Sequence, residues 1–249
     1  MKKLILGAML AAAVTTVQAE PLRTLYTTEN QMPEKGQLEL GALVQTWQYE
    51  NKGDYREELY VRYGLFGNLA AYAFAPMMQI RPKTGFGNSE NGFSDCGIGL
   101  QLVAYEDIFR FPYILPHLEL RFPTGDEEKG LGTGEVAIKG GVTVGTKTWE
   151  CVDWALDVSG QHLATTSTLL KSDTVIISGS IIWTLPGDQL SLVSEVSGSD
   201  QSHPDGNPLT FSGGMVFKPT ENLMFGLFGG KTTKTDESWN GTFKMAYSF

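Results

Sequence analysis

The final eleven residues put the tightest limit on what this chain can fold into. Trp239, Gly241, Phe243, Met245, Tyr247 and Phe249 share one face of an extended chain; Asn240, Thr242, Lys244, Ala246 and Ser248 share the other. A period of two sets an apolar row against a polar row, as a strand with two different environments requires. The pattern returns upstream. Val136, Ile138, Val142 and Val144 alternate with Glu135, Ala137, Lys139, Gly141 and Thr143. Val175, Ile177, Ile181 and Trp183 alternate with Thr174, Ser178, Ser180 and Thr184. From residue 36 onward no 3.6-residue period competes with it.

Reading alternation and turn residues together predicts twelve strands, near 37–48, 56–65, 69–81, 94–104, 112–122, 134–146, 152–163, 174–185, 189–198, 208–218, 222–231 and 239–249. The connections are expected to alternate. Short turns fall at Phe66-Gly67-Asn68, 105–111, Lys147 to Glu150, Pro186-Gly187-Asp188 and Pro219-Thr220-Glu221. Longer loops fall at 49–55, 82–93, 123–133, 164–173, 199–207 and 232–238. An even strand number with short turns on one side is the layout of an outer-membrane barrel. The expected fold is therefore all-β: a twelve-stranded antiparallel transmembrane β-barrel, an up-and-down meander over 37–249, with residues 20–36 as a periplasmic N-terminal tail. A secreted β-sandwich also alternates. Strands of ten to thirteen residues suit a tilted membrane crossing better.

The faces differ in chemistry. With the apolar rows toward lipid, the other rows carry Glu39, Glu58, Arg62, Arg81, Asp95, Glu119, Arg121, Glu135, Lys139, Asp153, Asp157, Glu195, Lys218 and Lys244. Charge at mid-membrane is costly on the lipid face and tolerated in a wet lumen. Small residues (Ala71, Ala73, Ala75, Gly97, Gly99) are expected inside as well. The candidates for a lumen constriction are Arg62, Arg81, Glu119, Arg121, Lys139, Asp157, Glu195 and Lys244, with His117 beside them. Opposed charges across a lumen make a transverse field that sorts solutes; the alternative is that the same ions pair and only hold the wall. Aromatic residues crowd strand ends, among them Tyr63, Phe66, Tyr72, Phe74, Phe111, Tyr113, Trp149, Trp154, Trp183, Phe217 and Trp239. Two interfacial girdles would use them so.

Other features narrow the reading. Lys2 and Lys3, an apolar run from Leu4 to Val17 and the small-x-small Val17-Gln18-Ala19 form a secretory signal peptide over 1–19, cleaved after Ala19. A net charge of −9 argues against a nucleic-acid partner. Pro76 and Pro116 fall inside strands, where each removes a ladder hydrogen bond, so a bulge or broken pairing is expected at both. Cys96 and Cys151 belong to opposite rims, too far apart for a disulfide, and are expected to be free thiols.

Two stretches resemble known families. Phe243, Met245, Tyr247 and the closing Phe249 resemble the signal read by the barrel-assembly machinery of the outer membrane. Gly92-Phe93-Ser94-Asp95-Cys96-Gly97-Ile98-Gly99-Leu100, Leu115-Pro116, Leu118, Leu120, Phe122-Pro123-Thr124-Gly125-Asp126 and Leu131-Gly132-Thr133-Gly134 resemble the "meta-pathway of phenol degradation" family. The resemblance covers roughly 92–163 and departs at Cys96 and at Asp126-Glu127-Glu128. It implies an outer-membrane transporter for aromatic or other hydrophobic compounds.

No catalytic or metal site emerges from the sequence. An acyl-transfer site needs a nucleophile, a base and an orienting group within hydrogen-bond reach; no serine falls in obvious register with His117, His162 or His203. No metal-ligand spacing appears, and no cofactor is implied. The expectation is a non-enzymatic channel that passes small solutes passively. A structural barrel closed by its own ion pairs is the second reading, and a lipid-modifying enzyme the third. Expected partners are outer-membrane lipids, the assembly machinery and the solute. Acidic loop tips (Asp54, Glu90, Asp126 to Glu128, Asp200, Asp205, Asp236, Glu237) add lipopolysaccharide bridged by divalent cations.

Overall fold

A computed structural model describes residues 23–29, 31–83, 89–107, 112–164, 173–200 and 207–249. The expected signal peptide, its cleavage site, Phe111, His203 and Asp205 lie outside these residues.

Twelve antiparallel strands close on themselves. They are β1 (Leu38–Tyr49), β2 (Lys52–Phe66), β3 (Leu69–Pro82), an interrupted β4 (Glu90–Phe93, Gly97–Leu102 and Tyr105–Glu106), β5 (Tyr113–Arg121) and β6 (Ala137–Thr148). There follow β7 (Val152–Leu163), β8 (Asp173–Thr184), β9 (Leu190–Ser199), β10 (Leu209–Thr220), β11 (Leu223–Thr232) and β12 (Glu237–Ser248). Each strand pairs with its sequence neighbour. The seam is β1 against β12, in register from Glu39↔Ser248 to Gln48↔Trp239. Closure satisfies every ladder without an edge, the condition for crossing lipid with strands.

The alternation is seen in three dimensions. Val175, Ile177, Ile181 and Trp183 are exposed on the outer wall, as are Val136, Ile138, Val142 and Val144. Thr242, Lys244, Ala246 and Ser248 are buried on the inner one. Exposed Phe66, Trp149, Trp154, Trp183 and Phe217 ring the short-turn end; exposed Phe93, Phe122, Phe211 and Trp239 ring the other. Rings with one apolar and one wet side belong at those depths.

Both prolines interrupt pairing where expected, each on one flank only. Pro76 pairs with Glu58 on β2. On its β4 flank the register jumps from Met77↔Phe93 to Phe74↔Gly97, so three residues oppose two. Pro116 pairs with Val142 on β6. On its β4 flank the register jumps from Gln101↔His117 to Tyr105↔Ile114, again three against two. A residue without an N–H leaves the opposing carbonyl unpaired, and a bulge relieves the mismatch. β4 is broken twice because it lies between the two prolines. Cys96, in the first break, and Cys151 are free.

Three expectations are corrected. The connection at 49–55 is not a long loop: β1 runs to Tyr49 and β2 begins at Lys52. The face of β3 is reversed. Tyr72 and Phe74 point inward, while Ala71 and Ala73 line an outer groove. The cause is cross-strand fit: Tyr72 pairs with Gly99 and Phe74 with Gly97, and any Cβ at either glycine would collide with the ring lying over it. Tyr113 also turns inward, over its partner Gly145, so these three rings leave the girdles. Tyr60 over Gly41 and Phe228 over Gly214 repeat the device. Third, residues 23–29 and 31 of the segment expected as a periplasmic tail lie within the barrel.

Candidate functional site

The N-terminal segment enters at the short-turn end. Gly36 donates to the Gly64 carbonyl at 2.8 Å, and Gly64 donates back to Gln37 at 3.0 Å. Deeper in, Arg62 Nη2 donates to the Gln31 carbonyl at 2.6 Å. The chain then bends through Leu25–Thr27 at the level of the β9 midpoint. There the Glu195 carboxylate accepts the backbone N–H groups of Leu25 (2.8 Å), Tyr26 (3.0 Å) and Thr27 (3.1 Å). A carboxylate facing three successive amides is a strong, charge-assisted clamp. Lys244 Nζ donates to the Thr24 carbonyl at 3.1 Å. The segment descends to Arg23, which is held by Glu29 (2.9 Å), Asp153 (2.7 Å) and Thr184 (3.2 Å). Partners come from β2, β7, β8, β9 and β12, so residues 23–29, with Gln31, form a floor across the lumen.

The floor's own ionisable groups are tuned by this packing. Burial disfavours the Arg23 cation, but Glu29 and Asp153 outweigh that and raise its affinity for the proton. Burial likewise raises the Glu29 carboxyl, and Arg23 more than reverses it, so Glu29 ionises below the usual carboxylate range. Burial, with Glu195 and Glu237 nearby, pushes the Tyr26 phenol up to about 12.

Above the floor lies a cavity of about 460 Å³ on the long-loop side of the barrel's middle. Residues 24–28 form its base. Six of the nine constriction candidates line it: Arg62, His117, Glu119, Arg121, Lys139 and Lys244. Asp157 is buried behind His117, accepting from Thr143 Oγ1 at 2.6 Å and facing His117 Nε2 at 2.6 Å. Glu195 lies under the floor. Arg81 is elsewhere, exposed near the outer end of β3, on Gln79 at 2.6 Å and over the Tyr55 ring. Two other residues placed in the lumen by alternation are loop residues. Asp95, in the first break of β4, binds the Gly125 and Thr133 amides (3.0 and 2.7 Å) and so anchors the 122–136 loop. Glu135 sits in that loop.

The wall also carries residues that alternation alone did not nominate. Arg56 pairs with Glu58. Tyr72 donates to Glu119 at 2.9 Å, and Arg121 Nε donates to its other oxygen at 2.7 Å. Arg121 stacks on Phe74 with 5.4 Å to the ring centroid. Arg56 belongs to the polar row of β2, and the short strand predicted at 56–65 left it at a boundary. Tyr72 and Phe74 were hidden by the reversed face of β3.

The two described histidines hold carboxylates. His117 faces Asp157, and Thr143 bonds that same carboxylate rather than the imidazole. His162 Nδ1 faces Asp173 at 2.8 Å on the exposed outer rim. Among the described residues, no group of three His, Cys, Asp or Glu side chains is placed to hold a metal.

No protein-family model and no curated protein matches this sequence. Solved structures do match its fold. An outer-membrane channel from Pseudomonas putida F1 superposes with a TM-score of 0.69 over 95% of this chain and 100% of its own, at 11% identity. The NanC porin gives 0.60 over 84% and 98%, at 7% identity. A KdgM porin in complex with disordered oligogalacturonate gives 0.55 over 84% and 98%, at 8% identity. The chain shares the outer-membrane barrel fold with these channels. The specific likeness of residues 92–163 to the phenol meta-pathway family receives no support from them.

Proposed function

We propose that this chain is an outer-membrane channel for small organic solutes, aromatic or otherwise hydrophobic, that move passively down their gradient. The observation that carries the reading is the polar cavity on the axis of a closed barrel, based on a segment that no strand needs for its pairing. Ions along the wall pair locally, Arg121 with Glu119 and Arg56 with Glu58, leaving space between them rather than filling it. Trp47, Tyr60, Tyr72 and Phe74 add ring faces for apolar solutes. The reading includes export by the leader at 1–19, insertion directed by the Phe243, Met245, Tyr247 and Phe249 signal, and residence among outer-membrane lipids and lipopolysaccharide.

The floor favours a second reading, a barrel that stays shut. Planar-bilayer conductance separates the two when the full chain is compared with a variant lacking residues 20–31. A channel gives measurable conductance that increases in the deletion. A barrel silent in both forms, though folded by heat-modifiable gel mobility, defeats the channel.

A further inference from the structure

We infer that the cavity binds small organic carboxylates and that Lys139 is the side chain selecting them. The inference deepens the channel reading by naming a solute class, and it rests on the cavity being where solutes dwell.

The charges around the cavity are unevenly committed. Its carboxylates already have partners. Glu58 is held by Arg56, and Glu119 by both Arg121 and Tyr72. Asp157, behind the wall, is held by Thr143 and His117. Most of the cations do too: Arg56 is on Glu58, Arg62 on Glu39, Arg121 on Glu119 and Lys244 on the Thr24 carbonyl. Lys139 makes no hydrogen bond and no ion pair among the described residues. Nε of Arg56 and both Nε and Nη1 of Arg62 are buried without a hydrogen-bond acceptor. Arg62 is only 2% exposed and is committed to the Gln31 carbonyl and to Glu39 at 3.6 Å, which leaves Lys139 as the wall cation open to a solute. Five fixed cations, Arg56, Arg62, Arg121, Lys139 and Lys244, line the cavity against two carboxylates, Glu58 and Glu119; Glu39 against Arg62 and Asp157 behind His117 reduce the surplus to one positive charge. Low-dielectric walls focus that surplus into a positive potential.

The cations also form a path. Lys139 is the third residue of β6 from its outer end, across the ladder from Glu119 and Gln161. A solute arriving from the long-loop side meets it together with Arg121 and Arg56. Arg62, on Gln31 and Glu39, and Lys244, on Thr24, lie at the floor. Beside Arg121 the Phe74 and Tyr72 rings offer flat apolar surface. A carboxylate on a planar apolar body meets the Lys139 ammonium at one end and the rings at the other. A neutral alcohol of the same shape leaves Lys139 without a counter-charge, and an amine is repelled. The volume of about 460 Å³ holds one single-ring acid with some water.

The test uses the full chain, refolded in detergent micelles, titrated calorimetrically with sodium benzoate, benzyl alcohol and benzylamine. Benzoate should bind at least about tenfold more tightly than the other two. Lys139→Gln should weaken benzoate about tenfold, and Lys139→Glu should abolish its preference over benzyl alcohol. Heat-modifiable gel mobility confirms that each variant is folded. In planar bilayers the reversal potential should favour anions in the native chain and shift toward cations in Lys139→Glu. Failure of benzoate to bind, equal binding of benzoate and benzyl alcohol, or an unchanged preference in Lys139→Glu overturns the inference. A barrel that conducts without preferring benzoate keeps the channel and loses this inference. One that binds benzoate without conducting does the reverse.

Discussion

Glu195 is the side chain on which the floor most depends, and replacing it with Gln gives a quantitative forecast. The carboxylate accepts three backbone N–H groups: Oε1 takes Tyr26 and Thr27, and Oε2 takes Leu25. In Glu195→Gln the amide oxygen can still serve the Tyr26 and Thr27 amides. The amide nitrogen then stands 2.8 Å from the Leu25 nitrogen, donor against donor. One charged bond is lost, two lose their charge assistance, and a buried N–H is stranded. Bonds to charged groups contribute about 1.5–3 kcal/mol each, and a stranded donor costs about 1–3 kcal/mol. Allowing for rehydration of a released segment, the docked floor should lose about 2–4 kcal/mol. At about 1.4 kcal/mol per factor of ten, undocking should rise roughly 30- to 700-fold. Hydrogen exchange of the Leu25, Tyr26 and Thr27 amides reads this directly, and their protection should fall by that factor while the strand amides keep theirs. Single-channel records should show longer openings. Unchanged protection at these three amides would refute the clamp, because the docked floor has no other shield of that strength for them.

The Glu29 carboxyl is held below its ordinary range in the docked floor, so docking is favoured above about pH 4.3 and weakens as pH falls below that value. Acidification should therefore raise conductance, and Glu29→Gln should flatten that response; the same acid step in both variants tests Glu29. Gly99→Val should place a branched side chain where the Tyr72 ring lies. It should destabilise the barrel by about 1–3 kcal/mol, seen as a lower urea midpoint in refolding, whereas Gly67→Ala, at a turn where a Cβ meets nothing within 4 Å, should change it little.

Much of the frame is legible without coordinates because its causes are local. A strand between lipid and a wet interior must alternate, so the outward rows of β6, β8 and β12 can be read residue by residue. Proline lacks an N–H wherever it sits, and both β4 breaks follow from that. The face of β3 was not legible. In Leu69 to Ala75 either row could face lipid, since alanine suits both sides and tyrosine suits a girdle or a lumen. The choice is made by Gly97 and Gly99 on the neighbouring strand, the positions that can accept the Phe74 and Tyr72 rings. The inner charges showed the same limit. Alternation placed Asp157, Glu195 and Lys139 on one face but could not say which would be occupied.

The sequence alone therefore determined a closed cylinder of twelve strands, its wet and greasy sides except on β3, its interruptions and its unpaired thiols, since each reflects a residue's own geometry or its immediate neighbours. Tertiary structure alone decided that residues 23–29 lie across the bore, that Glu195 is spent holding them, and that Lys139 is left facing open space. Those outcomes depend on groups from five strands converging on one non-alternating segment, and no periodicity along the chain encodes a meeting across the bore.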